Sequence, residues 1–204
     1  MSDDERAFAM EIDGDHLGDD ETDTSLIRFE GSDELNGLID DAPLTRLPER
    51  VYFEANTDTL AKIDYPINDQ AWPIMSKRML DVLRSVGEFA HRAIAVIMLD
   101  DTIEEKFDAA GVPQPGVANL DFVAVQLTRY SDAFDWERSE YTRSALAEDR
   151  VLKVKKIVLK DVPLPPLFRL AARPGPLLVS AAACAALEKA GISGVRFVSL
   201  KYAF

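Results

Sequence analysis

Apolar residues recur at three- and four-residue spacing over two short stretches: Met79, Leu80, Leu83 and Val86, and later Ala183, Cys184, Leu187 and Ala190. That spacing gathers side chains on one face of an α-helix. A serine precedes each stretch, Ser76 and Ser180, placed so that its hydroxyl accepts from a free N–H of the first turn. A glycine follows each, Gly87 and Gly191, able to take the left-handed conformation that ends a helix. One constant offset lays Ser76 on Ser180, Leu83 on Leu187 and Gly87 on Gly191. Both helices are led in by a proline and a short apolar run. Both are followed by a strand-like run, "AIAVIML" from Ala93 and "VRFVSL" from Val195. The pattern predicts a duplicated strand–helix–strand element, with halves near residues 65–100 and 166–204.

Further strands are expected at "SLIRFE" (Ser25 to Glu30), around Val51 to Phe53, and at "DFVAVQLTRY" (Asp121 to Tyr130). In "VLKVKKIVLK" (Val151 to Lys160) lysines fall on both faces, which predicts an edge or one-sided strand that resists further pairing. "DVPLPPLFRL" reads as a bend before a short strand ending at Arg169. Strands outnumber helices in an irregular order, so the fold class is α+β, with a mixed or mainly antiparallel sheet and few helices. Two copies are too few for a solenoid.

Charge changes the picture at one end only. Residues 1–41 hold 15 acidic side chains against Arg6 and Arg28, which accounts for the whole net charge of −13. The remaining 21 acidic and 21 basic residues cancel. Residues 1–24 are therefore expected to form a disordered acidic arm, and residues 25–204 a single α+β domain. Such a chain repels a nucleic-acid backbone and attracts a basic protein. The N-terminus lacks the pattern of a signal peptide, and the longest apolar run is too short to span a bilayer. One cysteine excludes an internal disulfide framework. A soluble, cytoplasmic protein without membrane partner, metal or cofactor is the expectation.

Candidates for chemistry are few. Nucleophilic catalysis needs a nucleophile, a base and an orienting group, and the histidines are His16, in the acidic stretch, and His91, at the start of an apolar strand. Cys184 lies on a buried stripe and Ser76 and Ser180 read as caps. Phosphate-binding glycine motifs are missing. A calcium loop starting at Asp13 and Asp15 fails at Leu17 and Thr24, where ligands are required. The most informative polar stretch is "YSDAFDWERSEYTRS" (Tyr130 to Ser144). Its Asp132, Asp135, Glu137 and Glu140 interleave with Tyr130, Phe134, Trp136 and Tyr141. Paired carboxylates suit general acid–base work, but an aromatic and acidic loop also suits protein recognition, and binding ranks above catalysis.

In the last third, Phe168 and Arg169, then Val179 and Ser180 opening a helix, then Gly191, Gly194 and Phe197 follow an order that resembles the family numbered eleven among the immunity proteins of bacterial polymorphic-toxin systems. "WPIMSKRMLDVLRSVG" resembles its earlier Pro-x-x-Ser helix, through Ser76, and "DAFDWERS" its middle segment, through Asp135 and Ser139. The resemblance spans residues 65–200 and leaves the acidic arm without a counterpart. It implies a non-enzymatic protein that binds a cognate toxin and neutralises it stoichiometrically, one half of an effector–immunity pair. The toxin is expected to be basic, as nucleases are. The expected contacts are the arm (Asp13, Asp15, Asp19, Asp20, Glu21 and Asp23) and the loop (Asp132, Asp135, Trp136, Glu137 and Glu140). A carboxylate-dependent hydrolase and a regulatory adaptor remain as alternatives.

Overall fold

Two serines, each closing a strand and opening a helix, organise the fold. The computed structural model describes residues 6–15, 22–31, 48–145 and 147–200. Along the chain run β1 (Ala7–Ile12), β2 (Thr24–Glu30), β3 (Arg50–Ala55), α1 (Thr57–Leu60), β4 (Ile74–Ser76), α2 (Lys77–Val86), β5 (His91–Asp100) and β6 (Ala118–Leu127). There follow β7 (Glu140–Arg143), β8 (Val151–Lys156), β9 (Leu167–Leu170), β10 (Arg173–Ser180), α3 (Ala181–Lys189) and β11 (Val195–Ser199). The class is α+β. The strands form a five-stranded sheet, β2-β3-β5-β6-β4, a four-stranded sheet, β11-β1-β10-β9, and the hairpin β7-β8.

Ser76 accepts from the Met79 N–H at 3.0 Å and Ser180 from the Ala183 N–H at 3.3 Å, so both caps form as the sequence predicts. In the first unit β4 and β5 flank β6 and are antiparallel to it; in the second, β10 and β11 flank β1 in the same sense. Even the register repeats. Ala124 faces Ile74 on one side and Ile94 on the other, and Ala9 faces Leu178 and Val198. The offset that relates the serines relates these partners too. Past the strand ends, Thr128 N–H donates to Ala90 O at 3.0 Å, and Asp13 N–H donates to Gly194 O at 3.1 Å. The duplicated element therefore extends to a third strand. That strand follows directly in the first unit and comes from the start of the chain in the second.

This placement departs from the acidic arm expected over residues 1–24. Ala7–Ile12 is an inner strand, hydrogen-bonded on both sides. The physical reason is its alternation: Phe8, Met10 and Ile12 face one core, while Ala7 and Ala9 face the other. Gly87 also differs from expectation. Its φ of 167 is extended backbone, whereas Gly191, at φ 64, does take the left-handed form.

The two helices meet in one core, where Met79, Leu80 and Leu83 pack with Ala183, Cys184 and Leu187 between the inner faces of both sheets. The outer face of the five-stranded sheet is covered by Leu60 and Trp72. The outer face of the four-stranded sheet is covered by Phe134, Ile157 and Leu159. Among the described strands β8 pairs with β7 alone, as its lysines predict, and its first residue, Val151, donates its N–H to Ala172 O at 2.8 Å.

Candidate functional site

Where the two units meet there are two seams, related by the repeat. In the first, the segment ahead of β4 lies on the loop that follows α3; in the second, the segment ahead of β9 lies beside the loop that follows α2.

The first seam is polar. Asp64, ahead of β4, has a side chain only 8% exposed. Its carboxylate accepts from Ser76 Oγ at 2.6 Å, from Arg78 Nε at 3.1 Å and from the Ser193 N–H at 3.1 Å, and Arg78 Nη2 closes a second ion-paired contact. Arg78 also donates to Ala190 O and Gly191 O at the end of α3. Burial pushes the Asp64 pKa up, but the bonds from Arg78, Ser76 and Ser193, with the Arg78 charge, outweigh it and hold the carboxyl below its ordinary value. Gly194, at φ +80, lies so near the Tyr65 backbone that a Cβ there would sit 2.6 Å from Tyr65 O. Only glycine satisfies both conditions.

The second seam is apolar. Ser180 N–H donates to Pro166 O at 3.2 Å, as Ser76 N–H donates to Asp64 O at 2.7 Å, so Pro166 stands in the place of Asp64. By the offset that relates Ser76 to Ser180, Ala182 replaces Arg78, Phe89 replaces Ser193 and Ala90 replaces Gly194. Phe89 stacks on His91, with ring centroids 4.1 Å apart. His91 Nδ1 lies 2.9 Å from Phe89 O, and Nε2 lies 3.1 Å from Arg84 Nη2. A carbonyl only accepts and a guanidinium only donates, which assigns the proton to Nδ1 and makes Nε2 an acceptor. A depression of about 410 Å³ lies between Phe89, Arg129 and the proline segment at Pro163 and Pro165. A second, of about 480 Å³, reaches toward Arg84 and Glu88, and the two share Phe89, Ala90 and Arg129. Val162 on the rim is 37% exposed. Arg129 is exposed and has no ion pair among the described residues.

The chain matches no protein-family model, and none of the curated proteins matches it.

The residues singled out in the sequence distribute unevenly over this frame. Asp135 is a turn builder: it accepts from the N–H groups of Glu137 and Arg138 and from Arg138 Nε at 2.7 Å. The Arg138 side chain holds its carboxyl below the usual range. Ser139 donates to Val158 O and accepts from Val158 N–H, which pins the loop to the chain beside β8. Trp136 packs edge-on against Phe134 and Tyr141, with Arg143 4.8 Å above its ring. Asp132, Glu137 and Glu140 are exposed. Asp132 lies 3.4 Å from Lys160, and Glu140 stands opposite Lys156 in the hairpin. Of the arm, Asp13 borders the polar seam, Asp15 is exposed, and Asp23 is buried and accepts from the Ile67 N–H at 2.8 Å. Asp19, Asp20 and Glu21 lie outside the described residues.

The residues of the family-like pattern are builders. Arg169, 9% exposed, donates to Pro174 O at 2.7 Å and to Gly175 O, and thereby holds the first part of β10, where its register with β9 shifts. Phe168 is core, and Phe197 packs against the helix layer. Cys184 is buried, and burial pushes its thiol to about 11, far from a thiolate at neutral pH. No helix of the described residues is long and apolar enough to cross a membrane. No group of three or more His, Cys, Asp or Glu among them is placed to hold a metal ion. Sequence reasoning missed Asp64, Arg78 and Ser193, and it read the proline segment only as a bend. The local signal was the offset itself, since carrying it outward pairs Phe89 with Ser193 and Ala90 with Gly194.

Proposed function

We propose that this chain is an immunity protein that neutralises a cognate bacterial toxin by stoichiometric, non-covalent binding in the cytoplasm. The observation that carries the reading is the apolar seam. Folding closes the equivalent seam with a buried carboxylate, yet here Val162, Pro163 and Ala90 stay exposed beside Arg129, which has no ion pair among the described residues. Exposed apolar groups rimmed by charge are a feature of interaction surfaces. The groups that chemistry would recruit are already engaged in the fold. Asp135 is held by Arg138 and backbone amides, His91 by Phe89 O and Arg84, and Ser76 and Ser180 by their helices. Nothing observed favours the hydrolase reading over binding. The net charge of −13 favours a basic partner through long-range attraction.

The test is co-expression with the product of the adjacent gene, followed by co-purification and a growth assay. A stable complex together with rescued growth is the expected result. Rescue without a complex contradicts binding and points to enzymatic repair, and the lack of both contradicts the immunity reading.

A further inference from the structure

We infer that the apolar seam seats an extended segment of the partner that carries a carboxylate at Arg129 and apolar side chains over Phe89 and the proline rim. The inference rests on the binding function proposed above and names the chemistry of its contact. Three observations select this occupant. Pro163 and Pro165 have no N–H to offer, so the rim cannot extend a guest strand by a regular ladder, and recognition there must come from side-chain packing. Arg129 stands at the wall common to both depressions, and its forked guanidinium matches a carboxylate with two parallel bonds. Asp132, the nearby acidic group of that groove, has Lys160 at 3.4 Å, which leaves the Arg129 charge to a guest.

The groove also has a direction. Glu88 lines the far depression beside Arg84, and Arg84 already contacts Asp81 and His91. A carboxylate placed at that end meets Glu88, so the acidic residue of the guest belongs at Arg129 and its apolar residues run toward Pro163 and Val162. This local contact is separate from the overall charge. Long-range attraction between an acidic protein and a basic partner sets the encounter rate, whereas one seated carboxylate sets the register. A basic toxin presenting one acidic–apolar segment satisfies both.

The experiment is calorimetric titration of the adjacent gene's product into the protein and into Arg129→Glu, Val162→Asp and Glu105→Gln, with an unfolding midpoint for each. Arg129→Glu should weaken binding about 100-fold and Val162→Asp about tenfold, with the exposed control Glu105→Gln within about twofold and all midpoints unchanged. A complex that forms equally well with Arg129→Glu and Val162→Asp overturns the inference and leaves the immunity reading standing. Failure of the unaltered protein to bind or to rescue growth removes both. Sedimentation of the protein alone covers the remaining occupant: a dimer that Arg129→Glu dissolves makes the guest a second copy of this chain and overturns the proposal.

Discussion

Around Asp64, hydrogen bonds from α2 and from the loop after α3 converge on one buried carboxylate; around Pro166, the equivalent place, a proline and a phenylalanine stand where the carboxylate and the serine do. The Ser76–Asp64 and Ser180–Pro166 backbone bonds match at both seams, although Gly87 is extended where Gly191 takes the left-handed form. The chief difference lies in the side chains. A polar lock is directional, and unpaired donors left by its loss are costly to bury. It fixes how the two units sit together. An apolar seam tolerates sliding and leaves surface that another molecule can cover. With one seam fixing the assembly, the other is free to carry recognition.

Removing the lock should have the largest effect. Asp64→Ala strands Ser76 Oγ, Ser193 N–H and Arg78, and we expect a loss of about 2–4 kcal/mol in urea unfolding. The value stays below that of a wholly buried pair because the Arg78 side chain is 56% exposed. Next comes the close approach. Gly194→Ala forces a side chain into the left-handed region and against Tyr65 O, at a cost of about 2 kcal/mol. The repeat-equivalent Ala90→Gly should change the unfolding free energy by less than about 0.5 kcal/mol, since Ala90 is exposed. Equal effects at these two positions would break the comparison.

The lock also predicts a pH dependence with a definite sign. The folded pKa of Asp64 lies below its ordinary 3.8, so its stabilisation is present above that value and is lost as pH falls through the folded pKa. Below pH of about 4, the unaltered protein should lose stability more steeply than Asp64→Asn. Asp135 and Asp100 are shifted in the same direction, so the difference between the two curves is the quantity to read. Smallest of all, Val162→Ser should leave stability within about 0.5 kcal/mol.

Local features of the fold were legible. The Ser caps, the stripes at Met79 and Leu83 and at Ala183 and Leu187, and the strands beginning at His91 and Val195 follow from spacing within a dozen residues. The one-sided character of β8 was legible in its lysines. β1 was not, because "AFAMEI" is short and embedded in acidic sequence, and its partners Val179 and Phe197 lie at the other end of the chain. Aspartates near it were read by composition, which cannot distinguish buried Asp23 from exposed Asp15. Asp135 and Trp136 were singled out as contacts for a partner, and composition alone did not show that they also hold the loop together. Asp64, Arg78 and Ser193 meet only in three dimensions, and the offset, which aligns Ser193 with Phe89 and Arg78 with Ala182, carries no sign that they converge.

The division of labour between the seams is tested most directly by amide hydrogen exchange of the free protein and of its complex with the adjacent gene's product. Slowing on binding should concentrate at residues 87–91 and 129–132 and at Val162 and Leu164, while the Tyr65 and Ser193 amides, tied into the lock, stay slow in both states. Slowing concentrated at residues 61–65 and 191–194, with 87–91 unchanged, would contradict the account.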